Sequence, residues 1–342
     1  MLFLLAGAAG AQIAPQVRLV EQHSGVDVRL RGVSAVDERV AWASGREGTV
    51  LRTVDGGGHW QVMKVPGATE LDFRDIEGFD AQRAIVLSIG PGEASRVYRT
   101  TDGGRTWVLA MQNRDPDGFL DCMAFEGEHG VILGDPVDGR FQLHETRDGG
   151  AHWRLRDDGP QAAEGEAAFA ASGTCIALAD GAIAVATGGS QARVHYRSGG
   201  TGEESQRWQV TATADTAPRP SVGYFSIAAT PAGFITVGGD YEQPEVDGLL
   251  ATMVPGREPG AAAAILESGS RPGPAGYRSG IACHVGLRAC VATGPSGTDW
   301  WDGKQWTAVS ALGFDAIDLA GSTGWLSGDA GRIARVEIGP AD

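Results

Sequence analysis

A motif that ends in tryptophan occurs three times along the chain at nearly equal spacing. Its order is Thr, one residue, Asp, one residue, Gly, two residues, Trp, and the three tryptophans fall 47 and 46 residues apart. A fixed period of this length is typical of a protein built from stacked repeats. The three copies consist of Thr53, Asp55, Gly57 and Trp60; Thr100, Asp102, Gly104 and Trp107; and Thr146, Asp148, Gly150 and Trp153.

The composition of the motif is that of a tight turn. An aspartate at the start of a turn can accept hydrogen bonds from backbone N–H groups two residues on, and glycine adopts a positive φ at little steric cost. The flanks TVLRT and WQVMKV have the pattern of strands. The tryptophan opens the returning strand, where it can bury a large surface against the neighbouring repeat. We interpret the motif as a structural hairpin turn rather than a ligand loop.

The motif resembles the Asp-box, or BNR, repeat of sialidase-like β-propellers. The segment 100–107 matches the whole pattern Ser/Thr-x-Asp-x-Gly-x-Thr-Trp, whereas His59 and His152 replace the second threonine in the other copies. In that family the box forms the turn between the third and fourth strands of a blade, on the outer rim. The resemblance therefore implies that a functional site lies elsewhere in the molecule.

The rest of the chain divides at the same period into seven segments, 26–64, 71–111, 118–156, 170–213, 222–266, 278–310 and 314–338. The last segment supplies only three strands, and QVRLVEQ at 16–22 has no partner of its own. We therefore predict an all-β fold, a seven-bladed β-propeller of four-stranded blades in which the N-terminal strand completes the last blade. Closure of this kind leaves few exposed strand edges. Residues 12–342 are predicted to form this single domain, with the Pro-rich stretch 257–276 as a loop into the sixth blade.

The first eleven residues are apolar and end in small side chains. Ala9-Gly10-Ala11 offers a cleavage site before Gln12, so we predict a signal peptide over residues 1–11. The alternative is the first part of a buried strand. The run is too short to cross a bilayer, and we expect no membrane insertion and a periplasmic or secreted protein.

Four cysteines are compatible with that compartment. Cys283 and Cys290 lie symmetrically about Gly286-Leu287, so a two-residue hairpin turn would place them opposite each other on adjacent strands. A disulfide and two small buried thiols are equally open for this pair. Cys122 and Cys175 open the inner strands of the third and fourth blades at similar offsets, and we expect core residues there rather than a nucleophile.

The formal net charge is −15, with only two lysines. This balance disfavours nucleic acid, whose phosphates require a basic surface, and it disfavours anionic membranes. The segment GGSQARVHYRSGG lacks the strand, glycine loop and helix of a dinucleotide site, so no cofactor is expected. We expect a monomer.

Function in a propeller is expected where loops of several blades meet at the axis. Some residues on that face have charged or hydrogen-bonding side chains that closure of the propeller ring does not require. Because most of them are acidic, we expect a basic peptide or a cation as the ligand. Calcium held by Asp135, Asp138 and Asp240 is an alternative, although solvated carboxylates are more common and no metal is predicted. The candidate ligand-binding residues are Asp135, Asp138, Glu166, Asp240, Tyr241, Tyr277, Arg278 and Asp315.

The layout of the chain is similar to that of the Ycf48-like group, seven-bladed relatives of a photosystem II assembly factor. The segments AWASGREGTVLRTVDGGGHW and GWLSGDAGRIARV carry this similarity. It implies a non-catalytic binding module or assembly scaffold for a protein or peptide, or for a glycan. Photosynthetic members are thought to act through an arginine-rich patch. Here the arginines are scattered along the sequence, so that particular role is not expected.

A glycoside hydrolase of sialidase-like type is the alternative function. Glu166 with Tyr241 or Tyr277, and Asp240 as a further carboxylate, are its candidate catalytic residues. Against it, the Arg-Ile-Pro signature of sialidases is absent. Three arginines that match the family's carboxylate clamp cannot be picked out from the sequence.

Overall fold

Antiparallel strands make up nearly all the regular structure of the computed structural model, which describes residues 16–200, 207–212, 219–254, 264–266, 273–284, 286 and 289–339. The predicted signal peptide, residues 1–11, lies outside this part. Two short 3₁₀ turns, Gly92–Ala94 and Asp329–Gly331, interrupt the strands. Within the described residues, no helix has the length and apolar character needed to span a bilayer.

Seven sheets follow one another along the chain, as predicted. After the N-terminal strand β1 (Gln16–Gln22), the first three blades are made of β2 (Leu30–Ala35), β3 (Ala41–Gly45), β4 (Thr49–Thr53), β5 (Gln61–Lys64); β6 (Asp72–Gly78), β7 (Ala84–Ile89), β8 (Arg96–Thr100), β9 (Val108–Gln112); and β10 (Leu120–Glu126), β11 (His129–Val137), β12 (Arg140–Thr146), β13 (Arg154–Arg156).

The fourth blade contains β15 (Ile176–Ala179), β16 (Ala182–Ala186), β18 (Arg193–Arg197) and β19 (Gln209–Ala212). Two short strands, β14 (Glu166–Ala167) and β17 (Gly188–Gly189), extend the sheet of the fifth blade beyond four strands. The remaining strands are β20 (Val222–Thr230), β21 (Gly233–Asp240), β22 (Leu250–Val254), β23 (Ala264–Leu266); β24 (Gly280–His284), β25 (Ala289–Gly294), β26 (Gly297–Trp301), β27 (Trp306–Ser310); and β28 (Ala316–Ala320), β29 (Thr323–Ser327), β30 (Ile333–Gly339).

The ring is closed by the N-terminal strand. β1 pairs antiparallel with β30 along its whole length, from Gln16 opposite Gly339 to Gln22 opposite Ile333. The Gln22 Oε1 atom accepts hydrogen bonds of 3.1 Å from the indole N–H groups of both Trp60 and Trp325, which joins the first blade to the last. The predicted closure is therefore confirmed.

The repeated turns have one shared hydrogen-bond pattern. In the second copy, Thr100 Oγ1 accepts from the N–H of Gly104 at 2.9 Å, and Asp102 Oδ1 accepts from the N–H of Thr106 at 2.9 Å. The aspartate thus binds a donor four residues on, not two as predicted, because the threonine takes the nearer glycine N–H. In the other copies the Nδ1 atoms of His59 and His152 lie 2.8 and 2.7 Å from the aspartate, where Thr106 donates its hydroxyl.

The motif tryptophans pack edge to face against other aromatic rings. Trp107 lies 6.5 Å from Trp42 of the preceding blade, and Trp60 lies 6.4 Å from Trp325 of the last blade, measured between ring centroids. Trp153 contacts Phe125 of its own blade at 5.9 Å. The core is divided in this way among the spaces between neighbouring blades, since each sheet buries both of its faces.

All four cysteines form disulfides. Cys283 and Cys290 are opposite each other on β24 and β25 and are bonded, which is one of the two states left open for them. Cys122 and Cys175 are buried core residues, as expected, and they are also bonded to each other, which was not predicted. They start the inner strands of adjacent blades, and these strands lie close enough at the axis for a covalent link between blades.

Candidate functional site

The first strands of the blades contact one another around the axis, and several of them contain a β-bulge. Pairing skips one residue between Leu30 and Gly32 in β2, between Phe73 and Asp75 in β6, and between Tyr224 and Ser226 in β20. A bulge changes the direction in which the extra side chain points. The skipped residues are Arg31, Arg74 and Phe225, and all three line one cavity.

This cavity, here called the arginine pocket, has a volume of about 380 Å³. That volume is in the range of small-ligand sites. Its walls come from the first, second, fifth, sixth and seventh blades and from the connection between the third and fourth, so it lies where the blades converge. The lining residues are Arg29, Arg31, Arg74, Phe169, Ala170, Ala171, Phe225, Tyr241, Tyr277, Ser279, Pro295 and Asp315.

Two of the three guanidinium groups in the arginine pocket have carboxylate partners. Arg29 forms two hydrogen bonds of 2.7 Å with Asp315, and these raise the pKa of Arg29. Arg74 donates to Asp72 at 3.0 Å. A bidentate Arg–carboxylate pair is among the stronger polar contacts in proteins, so Arg29 and Asp315 largely neutralise each other.

Arg31 has no salt-bridge partner among the described residues. Its side chain is buried, with 7% of the residue exposed, and its Nε atom makes no hydrogen bond. One Nη atom donates to the carbonyl oxygen of Ala171 at 2.9 Å. Burial lowers the pKa of Arg31 to about 10, so the group stays charged at neutral pH. The arginine pocket therefore holds a positive charge that its own walls do not neutralise.

The expectation of an acidic site is wrong for this cavity, which has three guanidinium groups and one carboxylate. The arginines are scattered in sequence but converge in space. Arg31 and Arg74 are 43 residues apart and occupy equivalent positions in LRG and FRD, the starts of successive inner strands. An alignment of those strands would have revealed the pair.

Aromatic rings form another wall of the arginine pocket. Phe169 and Phe225 are stacked, with centroids 4.0 Å apart and planes 14° from parallel. Tyr277 packs edge to face on Phe225 at 4.7 Å, and burial raises the pKa of Tyr277. Tyr241 stands at the mouth with 46% of the residue exposed. The pocket thus combines a cationic base with an apolar wall.

Three of the predicted ligand-binding residues, Tyr241, Tyr277 and Asp315, line the arginine pocket. Glu166 does not, because its carboxylate is used inside the protein. It accepts from Thr187 Oγ1 at 2.6 Å and from the Ala163 N–H at 2.8 Å, and it lies 2.7 Å from His195 Nε2. Burial alone would raise the pKa of Glu166, but these hydrogen bonds hold it below its usual value.

The other predicted residues also have partners or positions outside the pocket lining. Asp240 accepts from the N–H of Glu242 at 3.0 Å and pairs with Arg219 at 2.9 Å. Arg278 is buried against Asp299, to which its Nε donates at 2.7 Å. These side chains stabilise loops of the fifth and sixth blades.

Asp135 and Asp138 lie on the hairpin between β11 and β12. Asp138 is exposed at its tip with a φ of 52°. Asp135 Oδ1 accepts from the N–H of Ala168 at 3.0 Å. Asp240 has its own partners on another blade, so the three aspartates do not form one calcium site. In the described part of the chain, no group of three or more His, Cys, Asp or Glu side chains is arranged to hold a metal.

Comparison with known proteins finds similarity to Ycf48. No family model matches the chain. The photosystem II assembly protein Ycf48 of Synechococcus sp. (strain JA-2-3B'a(2-13)) is 26% identical over 34% of this chain and 50% of that protein. The alignment thus spans about half the length of this curated relative.

Solved structures match nearly the whole chain. YCF48 bound to a D1 peptide covers 96% of this chain and 100% of its own, with 13% identity and a TM-score of 0.62. YCF48 from Cyanidioschyzon merolae covers 93% and 98%, with 16% identity and a TM-score of 0.63. The chain thus has the propeller fold of these Ycf48 structures. At these identities the structural likeness establishes the fold, and the role of the arginine pocket has to be argued from its own residues.

Proposed function

We propose that this Ycf48-like propeller is a non-catalytic binding module that recognises an acidic segment of a protein partner in the arginine pocket. The observation that carries the proposal is Arg31, a buried guanidinium without a carboxylate partner among the described residues. Buried charges are normally paired, since an unpaired one is costly. A ligand carboxylate that pairs with the Arg31 guanidinium accounts for the burial of a charged group in this position.

A protein partner is supported by the shape of the site and by the comparisons. The arginine pocket opens on the loop face at Tyr241, beside the stacked pair Phe169 and Phe225. Aromatic residues and arginine are enriched at protein interfaces. One of the similar structures is YCF48 bound to a D1 peptide.

The three arginines of the pocket are in favour of the hydrolase alternative, since the sequence did not reveal a carboxylate clamp. Against it, the site lacks an activated nucleophile. Burial raises the pKa of Tyr277, which opposes formation of a phenolate. Glu166 and Asp240, proposed to act with the tyrosines, do not line the pocket. Binding without turnover is therefore the function that the geometry favours.

An extracytoplasmic location is part of the proposal. The two disulfides, Cys122–Cys175 and Cys283–Cys290, are typical of oxidising compartments and rare in the cytosol. Alkylation with and without prior reduction, followed by mass spectrometry of protein from the native cell, tests it. Four alkylated cysteines without reduction would contradict this location.

The binding proposal is tested with a peptide array in which Asp or Glu lies beside Phe or Trp, with Lys-for-acid versions of each peptide. The wild-type protein should retain the acidic peptides, and binding should fall with rising salt. Arg31→Gln should weaken retention about tenfold or more, since a charge-assisted hydrogen bond is lost. Arg105→Gln, on an exposed rim turn, is the matched control. Preference for the basic peptides, or equal retention by Arg31→Gln, would contradict the proposal.

A further inference from the structure

A segment of the connection between the third and fourth blades crosses the channel. This strap, residues 168–172, is bound by side chains of the first two blades: Arg74 donates to the carbonyl oxygen of Ala170 at 2.8 Å, and Arg31 donates to that of Ala171 at 2.9 Å. On the opposite side, Ser172 Oγ donates to the carbonyl oxygen of Ser279 in the sixth blade at 2.6 Å. The strap is thus attached around the axis rather than to one neighbour.

The strap separates two cavities with different ionisable groups, arginines in one and carboxyl groups in the other. Phe169, Ala170 and Ala171 line the arginine pocket, whereas Ser172 and the two residues after it line a second cavity of about 190 Å³. The two linings share no residue. The carboxylates of the second cavity are Asp75, Glu77 and Asp318. The strap therefore lies between the arginine side chains of one cavity and the carboxyl groups of the other.

Backbone carbonyls hold a guanidinium without neutralising it. A carbonyl oxygen is a neutral acceptor, so Arg31 keeps an unneutralised charge while its side-chain direction is restricted. Arg74 is held by the strap carbonyl and by Asp72 together. A guanidinium has five N–H donors in a rigid fork. The bond to Ala171 leaves the buried Nε–H of Arg31 without an acceptor.

The third blade anchors the strap at both ends. Asp135, at the end of β11, accepts from the N–H of Ala168 at the first residue of the strap. Cys175, three residues after Ser172, forms a disulfide with Cys122 of the third blade. Both anchors are outside the lining of the arginine pocket.

We propose that the strap is the positioning element of the arginine pocket, and that Asp135 and the Cys122–Cys175 disulfide act on ligand binding through it. The strap carbonyls orient Arg31 and Arg74 towards the ligand and keep them away from the acidic cavity. This inference rests on the proposed function. Asp135 and the disulfide are positioning residues, since neither touches the ligand.

The test measures arginine orientation and anion binding separately, in oxidised full-length protein. NMR signals of the Arg31 and Arg74 guanidinium groups, assigned with Arg→Lys variants, report how strongly rotation of each group is restricted. Titration with benzoate, a carboxylate on an aromatic ring, reports binding. The variants are Asp135→Ala, Asp135→Asn, Asp138→Asn, Cys122→Ala/Cys175→Ala and Cys283→Ala/Cys290→Ala, each checked for folding by circular dichroism.

Asp135→Ala and Cys122→Ala/Cys175→Ala should free the guanidinium rotation and weaken benzoate binding several-fold. Asp135→Asn keeps the acceptor oxygen and should restore both properties. Asp138→Asn, on the same hairpin, and Cys283→Ala/Cys290→Ala, which removes the other disulfide, should match the wild type. Unchanged signals and affinity in Asp135→Ala, or equal losses in the control variants, would overturn the proposal. If Cys122→Ala/Cys175→Ala does not fold, the comparison of Asp135→Ala with Asp135→Asn tests the proposal.

The two proposals fail in different ways. A wild-type protein that does not respond to benzoate, but whose guanidinium rotation depends on Asp135, would refute this anion site and retain the strap. A wild-type protein that binds benzoate equally well with and without the Asp135 acceptor would retain the site and refute the strap.

Discussion

The rim turns and the axial pocket use charged residues in opposite ways. At the rim, the aspartate of each turn is exposed or half-buried and accepts several hydrogen bonds from its own turn. These bonds hold the pKa of Asp55 and of Asp102 at about 2. At the axis, Arg31 is buried and lacks an ionic partner among the described residues. The rim charges are satisfied locally and stabilise the fold, whereas the axial charge is the one we propose to bind a ligand.

Removal of the closing strand should have the largest effect on stability. Deletion of residues 16–22 exposes the edge of β30 and leaves the Trp60 and Trp325 indoles without the Gln22 acceptor. We expect the melting temperature to fall by at least about 10 °C, since each kcal/mol lost shifts it by about 2–4 °C in proteins of roughly 150–250 residues. Deletion of residues 1–11 alone is the control. An unchanged melting curve for the first deletion would show that closure contributes little.

Arg31→Met should separate stability from binding. The substitution removes a buried charge and keeps much of the side-chain volume, so the melting temperature should stay level or rise, as for other buried charges replaced by apolar groups. Affinity for acidic peptides should fall about tenfold or more. Calorimetry and fluorescence anisotropy measure the two quantities. A large loss of stability would mean that Arg31 is a structural residue.

Asp102→Ala should give the opposite result. The N–H and hydroxyl of Thr106 lose their acceptor, so the melting temperature should fall by a few degrees, while affinity for acidic peptides should stay at the wild-type value. Asp117→Ala, an exposed aspartate outside the repeated motif, serves as the comparison. Loss of binding with unchanged stability would show that the rim turn is a ligand site.

The smallest of the expected effects is on the pH dependence of stability, which should differ in sign between the rim and the axis. The pKa of Asp102 is lowered from 3.8 to about 2, so its contribution is present above pH 4 and lost as the pH falls towards 2. Burial raises the pKa of Glu77, in the acidic cavity, above its ordinary 4.5, so its ionisation destabilises the fold as the pH rises through that value.

Melting curves of two variants between pH 2 and pH 8 check these signs. Asp102→Asn should be less stable than the wild type at neutral pH and equal to it near pH 2. Glu77→Gln should equal the wild type near pH 4 and exceed it at pH 7. Parallel pH profiles for the two variants would contradict the contrast between rim and axis.

Much of the fold was predictable because its signals are local. The turn from Thr100 to Trp107 places its donors and acceptors within eight residues, so its spacing survives in the sequence. The unpaired strand at 16–22 implied closure because a three-stranded last blade lacks a partner. The later blades were located by the period, although their turns have diverged.

The site was predicted only in part. Tyr241, Tyr277 and Asp315 were selected from the axial loops and line the arginine pocket, whereas Arg31 and Arg74 were overlooked. The direction of their side chains depends on bulges, which a single strand sequence does not reveal. Glu166 and Arg278 were selected for their charge, but hydrogen bonds to His195 and to Asp299 direct these two side chains elsewhere.

The sequence by itself determined the repeat, the seven blades, the rim turns and the closing strand, because each rests on contacts between residues near in sequence or on a count of strands. Only the tertiary structure decided the charge of the axial pocket, the Cys122–Cys175 bond and the course of the strap. These features join residues from different blades, and closure of the ring brings such residues together at the axis. The overall charge of −15 therefore did not predict the sign of the pocket.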